Sequence, residues 1–252
     1  MGVVQRLVYK FSKLRTGVRF PPPAPRVSIM KAKTPITDKR LLFTIPKVDK
    51  NLSESAKVLL EMSAIASRLV QVKRTRTIHP DGRSENDAEH SLMLAKVAPE
   101  LANILYPELD RNLIARFAVL HDDVEAYVGD TPTDMLSKLD QNLKDTVEQY
   151  GLRNLLHEYA HVTDYAKLIQ QYESQSVPEA RFVRAVDKLM VLVIHIPNGG
   201  EVLRAHYTYD SFLQSEDDIL TRDAYKYAEF DKIVALRKEI GKELAERYLR
   251  DC

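Results

Sequence analysis

The chain has 252 residues and a mass of 28.8 kDa; 44% of it is hydrophobic and 29% charged, which supplies one sizeable core and excludes a wholly disordered chain. Its only cysteine is Cys252, the last residue, which excludes a disulfide scaffold, a cysteine zinc site and a cysteine nucleophile. The net charge of +1 hides an asymmetry: residues 1–37 hold eight basic side chains and no acid, which leaves the rest of the chain at −7 and argues against a stable nucleic-acid complex.

The basic leader has three readings. Acid-free and Arg-rich, it has the composition of a transit peptide or of a basic arm. The third reading comes from Val18-Arg19-Phe20-Pro21-Pro22-Pro23-Ala24-Pro25. Those residues can be encoded by a string that resembles the T-loop and 3′ end of a tRNA gene, closing on CCA. On that reading residues 1–29 are a tRNA gene translated as protein, and the fold occupies 30–252. The longest apolar run, Leu189 to Ile194, falls far short of the roughly 20 residues that a bilayer requires.

Scarce glycine and abundant Leu, Ala, Glu and Lys predict helices. A first helix is expected over Leu52–Val72, with apolar residues at helical spacing through Leu59/Leu60 and Ala66/Leu69. Residues Val72–Asn86, with His79-Pro80-Asp81-Gly82, read as a loop with a turn. A second helix runs from about Asp87 to Tyr106 and carries His90, Leu94, Val97 and Leu101 on its apolar face. A third runs from about Arg111 to Tyr127, with Leu113, Phe117, Leu120 and Val124 inward, and ends near Gly129. Asp130-Thr131-Pro132 marks a loop and a fresh helix start. Further helices are expected over about 142–150, 152–173, 178–196 and 222–250. No strand alternation stands out, so the fold class is all-α, a single helical bundle.

The chemistry-bearing residues lie on inward faces. His121-Asp122 closes an apolar stretch, where an ionisable pair is costly to bury without a partner. A divalent cation is one such partner for His90, His121 and Asp122. Asp187, on an otherwise apolar helix, completes the set or forms an internal ion pair with Lys188 or Arg184. Glu125 lies four residues after His121 and shares its face; a carboxylate there can take a proton from water. Asp130 sits just beyond, at the same mouth, and is also a good helix N-cap.

The order His90 … His121-Asp122 … Asp187 resembles the signature of HD-domain phosphohydrolases, and the flanks sharpen the likeness. Gly82-Arg83-Ser84-Glu85-Asn86-Asp87-Ala88-Glu89-His90-Ser91 is similar to the R-x-E-N-x-x-E-H-S block of the 5′-deoxynucleotidase-like branch. His121 to Asp130 resembles its H-D-x-x-E-x-x-x-G-D block, and Glu179 to Leu189 its last block. The resemblance implies a helical bundle that is often a dimer. It further implies one divalent ion, manganese, cobalt or another transition metal, held by His90, His121, Asp122 and Asp187. Glu125 would then handle the attacking water, with Asp130 assisting at the sugar or leaving oxygen. A cation must hold the phosphoryl oxygens, and Lys73, Arg74, Arg76 and Arg83 are candidates. The branch carries an Arg-Trp pair before its first histidine block; Lys73 to Ile78 has arginines and no Trp.

Three functions fit this pattern. The first is a cytoplasmic metal-dependent phosphomonoesterase acting on nucleoside 5′-monophosphates, possible 2′-deoxy substrates included. The second is an enzyme for cyclic or pyrophosphorylated nucleotides, or one with a dinuclear centre, which needs His157 and His161 as extra ligands. The third is a non-catalytic nucleotide-binding module. His195 reads as a core or rim residue, and His79 as solvent-facing.

Overall fold

The structure, a computed structural model, describes residues 51–130 and 138–250. The leader 1–29 and the helix start at Thr131-Pro132 lie outside the described residues, as does the side chain of Arg76. The described chain is helical throughout except for one two-stranded hairpin, in line with the all-α reading.

Helix α1 (Glu54–Leu69) starts on Ser53, whose hydroxyl accepts from the Ala56 amide. Only its C-terminal half packs inward, through Ala64, Ile65, Arg68 and Leu69. Leu59 and Leu60 are exposed, so the apolar spacing in the first half does not mark a buried face.

The segment expected as a loop forms strands β1 (Lys73–Ile78) and β2 (Ser84–Asn86), which pair antiparallel. The turn closes through His79, whose amide donates to the Arg83 carbonyl, and through Gly82 at φ 81°. The hairpin escapes sequence alternation because its inward residues are charged: Glu85, on β2, is fully buried.

Helix α2 (Asp87–Leu105) begins with a capping box. The Asn86 side chain accepts from the Glu89 amide at 3.0 Å, and the Glu89 carboxylate accepts from the Asn86 amide at 3.2 Å. His90, Leu94, Ala98 and Ala102 form its buried line; Val97 and Leu101 are half-buried. The two alanines let α2 lie close along α3 (Arg111–Leu120), which Asp110 caps.

Helix α3 stops at Leu120, earlier than expected. Residues 121–124 tighten into three-residue hydrogen-bonded turns, Asp123 N to Leu120 O and Glu125 N to Asp122 O, before the short α4 (Glu125–Val128). Gly129 then takes φ 77° and turns the chain away. Gly151, on α5 (Lys138–Glu158), packs against α4; a Cβ there would come within 2.8 Å of Val128.

The helix expected over 152–173 is broken. Helix α5 ends at Glu158, and α6 (Thr163–Glu173) follows a turn anchored by the Tyr159 hydroxyl on the Glu61 carbonyl. Helix α7 (Pro178–Val193) runs through the middle, burying Ala180, Val183, Val186 and Asp187. The expected helix 222–250 is also divided. Helices α8 (Glu201–His206) and α9 (Tyr209–Arg222), not expected from the sequence, precede it, and α10 (Ala224–Tyr227) and α11 (Asp231–Tyr248) cover it. Asp223 breaks it by drawing Arg222 and Lys226 around itself.

Arg237 ties this C-terminal layer to α7. It is 1% exposed and clamps Glu216 through two bonds of 2.8 and 3.0 Å, while also reaching the Lys188 carbonyl. Arg237→Ala strands Glu216 and that carbonyl, so the unfolding free energy should fall by about 3–5 kcal/mol. Urea denaturation followed by circular dichroism measures it.

Candidate metal centre

Three local devices bring the site together. The capping box fixes His90 in the first turn of α2, facing the core. The tightened turn at the end of α3 presents His121 and Asp122 toward the same place. Asp187 comes from the buried side of α7.

The groups meet closely. His90 Nε2 is 2.9 Å from Asp187 Oδ1, and His121 Nε2 is 3.0 Å from Asp122 Oδ2 and 3.9 Å from Asp187 Oδ1. The two imidazole rings lie 5.2 Å apart. Ligand atoms of His90, His121 and Asp122 all fall within 4.8 Å of one another, and so do those of Asp87, Asp122 and Glu125. Asp122 belongs to both groups.

The tautomer of His121 is fixed by its surroundings. Its Nδ1 is 2.9 Å from the Ala118 carbonyl, which can only accept, so Nδ1 carries the proton. In the neutral ring Nε2 then turns a lone pair on two carboxylates, and this buried nitrogen has no hydrogen-bond partner. Facing two carboxylates, Nε2 is satisfied either by a proton, which those charges favour, or by a cation lying between them. Nδ1 on a backbone carbonyl and Nε2 free is also how metal-ligating histidines are commonly held. The donor set of imidazole and carboxylate therefore suits a divalent cation.

Electrostatics say the same. Burial would lift Asp122, but His121, Arg74 and His90 outweigh it and hold the carboxyl far below its ordinary range. Burial likewise opposes ionisation of Asp187, yet Lys188 and the two histidines hold it well below. Glu125 goes the other way: burial and the charges of Asp122, Asp87 and Asp130 push it well above the carboxylate range. Asp130 is half-buried beside this group, and its charge also raises Asp87 and Arg74.

Of the expected cations, the structure brings Arg74 to the centre. Its guanidinium lies 2.8 Å from Asp122, 3.3 Å from Asp87 and 3.6 Å from Glu85. Arg83 is not brought there; it pairs with Asp81 and Glu89, half exposed at the hairpin turn. Lys73 is exposed. His157 and His161 do not share a helix face, because α5 ends between them. Both are exposed, and His161 pairs with Glu61 at 2.6 Å. His195 is half-buried, and burial lowers it to about 4. His79 is not solvent-facing; it packs against Glu89 at 3.4 Å.

Two residues of the centre escaped the sequence. Glu85 and Asp87 are fully buried beside Arg74, and burial with the Asp122 charge raises Asp87 to about 7. An acid in the first turn of a helix ordinarily reads as an exposed partner of the helix dipole, which hides Asp87. The ion pair offered for Asp187 does form with Lys188, whose Nζ reaches Asp187 Oδ2 at 2.6 Å.

The match to known proteins covers this same region. The family model described as HD domain matches residues 66–228, well over half of the chain. The chain belongs to the HD domain family. Among curated relatives, the human 5′-deoxynucleotidase HDDC2 is 27% identical over 140 residues, which is 55% of this chain and 67% of that one. The 5′-deoxynucleotidase hdd1 of Schizosaccharomyces pombe is 28% identical over 131 residues, 50% of this chain and 65% of that one. Among solved structures, a "predicted metal-dependent phosphohydrolase" from Magnetospirillum magnetotacticum MS-1 superposes with a TM-score of 0.58 at 26% identity, covering 77% of this chain and 97% of that one. This HD domain is thus a metal-dependent phosphohydrolase by family, and its His/Asp cluster is a site able to hold a metal. No helix among the described residues is long and apolar enough to cross a membrane.

Proposed function

We propose that this HD domain releases phosphate from nucleoside 5′-monophosphates, with ribose or 2′-deoxyribose. The observation that carries the reading is the junction at Asp122. It joins a His90–His121 cation pocket to a cluster holding Glu125, Asp87 and Arg74. The names of the curated relatives support a nucleotide monoester as the substrate class.

His90, His121, Asp122 and Asp187 would hold one divalent ion, manganese, cobalt or another transition metal. Such an ion lowers the pKa of bound water and neutralises phosphoryl charge. The protein supplies the rest. Glu125 accepts the proton of the attacking water, Arg74 binds the non-bridging oxygens, and Asp130 orients the sugar side at the mouth. Arg74 is pre-positioned by Glu85 and Asp87, so it loses little freedom when it meets phosphate. A cytoplasmic homodimer is part of the proposal, and light scattering on the purified protein tests the dimer.

Arg74→Gln should lower kcat/KM about 10²-fold with metal retained, the size expected for one lost charge-stabilising donor. Arg83→Gln should leave kcat/KM within about twofold, since a half-exposed surface pair contributes little. A melting curve of Arg74→Gln separates lost binding from the strain of stranding Glu85 and Asp87.

A phosphate-release screen across nucleotides and metals, with metal content measured on the same sample, tests the whole reading. Release from 5′-monophosphates with manganese or cobalt is expected. Release from cyclic or diphosphorylated nucleotides alone would overturn it in favour of a different HD reaction.

A further inference from the structure

Glu85 is buried at a cost that Arg74 alone does not offset. It lies on β2 with no exposure to solvent, and neither of its carboxylate oxygens has a hydrogen-bond partner. A buried carboxylate in that state is strongly disfavoured. Arg74 compensates it only in part. The guanidinium already meets Asp122 at 2.8 Å and Asp87 at 3.3 Å, and Glu85 is the third and most distant acid, at 3.6 Å.

The other group that Glu85 faces is His90. Glu85 Oε2 lies 3.8 Å from His90 Nδ1, while the opposite ring nitrogen, Nε2, meets Asp187 at 2.9 Å. The start of α2 sets this contact. Asn86 is the N-cap, so Glu85 is the residue before the cap and His90 the fourth residue of the helix. Those two positions are the ones that a hydrophobic staple joins, with an apolar side chain at each. Here both positions carry ionisable groups, and both are buried. Two apolar residues would fix the entry of the chain at lower cost, so the acid is there for the imidazole.

A neutral histidine that gives Nε2 to a cation carries its proton on Nδ1, and that N–H calls for an acceptor. In His121 the acceptor is the Ala118 carbonyl, at 2.9 Å. In His90 the group on that side is the Glu85 carboxylate, whose acceptor capacity is unused. An approach of about 1 Å brings it to ordinary hydrogen-bond length.

We propose that Glu85 is a positioning residue that holds the Nδ1–H of His90 and so turns Nε2 toward the cation. One carboxylate then orients both a metal ligand and the guanidinium of Arg74. The inference rests on the metal assignment of His90 made above, and not on the identity of the substrate.

Cobalt binding to the full chain tests it, by competition with a chelator and by proton NMR of the cobalt-loaded protein in water. A paramagnetic cobalt ion shifts the ring N–H protons of its histidine ligands far outside the ordinary range, so His90 and His121 should each give one exchangeable signal. In Glu85→Leu the cobalt Kd should rise about 10- to 100-fold, the usual effect of losing the group that orients a ligating histidine. One N–H signal should be lost to exchange with water, while the signal of the ring held by Ala118 stays. In Glu85→Gln, which keeps the shape with a weaker acceptor, the same signal should move and the Kd should rise less. Glu100→Gln, which removes an exposed acid on the same helix, should change neither. Glutamine carries the test if the leucine variant does not fold. An unchanged Kd in Glu85→Leu, or two unmoved signals in Glu85→Gln, overturns the proposal. A wild type that binds no cobalt overturns it together with the metal centre. The expected changes in Kd and signals, without phosphate release from any nucleotide, support it and overturn the proposed reaction.

Discussion

Asp122→Asn should strip the bound metal and lower kcat/KM by about 10³-fold or more. Asp122 is the one residue common to both groups of converging ligand atoms, and it lies 3.0 Å from His121 and 2.8 Å from Arg74. An amide keeps the shape and removes the charge. The cation then loses its central carboxylate, and the amide NH₂ or a turned carbonyl faces the His121 lone pair. A metal supplies several kcal/mol of transition-state charge stabilisation, and each 1.36 kcal/mol is tenfold in rate, so a loss of about 10³ to 10⁴ follows. The fold should survive. Asp122 is one of several acids crowded around a single arginine, and removing its charge relieves Asp87 and Glu125 as well as weakening Arg74. Elemental analysis of the purified variant beside steady-state kinetics checks both halves. A variant that keeps metal and turnover removes Asp122 from the centre.

Why the sequence revealed some of this centre and hid the rest follows from what each residue does in the chain. His90, His121, Asp122 and Asp187 interrupt apolar helical stretches, where a polar residue stands out because burying it is costly. Their convergence required only that three helices pack on common faces, and those faces were visible in the 3.6-residue period. Arg74, Glu85 and Asp87 behave differently. They pair by charge across a hairpin and a helix start, so each reads alone as a solvated charge. The hairpin itself carries charges on both faces, which erases the apolar alternation that marks a strand. Helix ends were lost for a related reason. The turns at residues 121–124, 159–162 and 223 are set by backbone hydrogen bonds and by tertiary anchors such as Tyr159 on Glu61. None of these leaves a Gly or Pro signal.

The same crowding gives the second large effect. Glu125→Gln should keep the metal and lose about 10²- to 10⁴-fold in kcat, the range of a lost proton acceptor. Glu125 is not among the residues that meet the His90–His121 pair, so the ligand set stays whole. Its carboxyl is buried against Asp122, Asp87 and Asp130, which hold its proton well above the usual carboxylate range, while Arg74 pulls the other way. A divalent ion beside Asp122 would offset the repulsion from that acid and lower Glu125 toward the working pH, where a base is most effective. The sign of the pH dependence follows. A base must be ionised to accept a proton, so activity falls as pH drops through the Glu125 pKa of the metal-loaded protein. Glutamine cannot titrate, and the variant should lose that acid limb together with its rate. A pH–rate profile of both proteins, with metal content measured throughout, decides it. An unchanged acid limb in Glu125→Gln assigns the titration to another group, and unchanged kcat removes Glu125 from proton transfer.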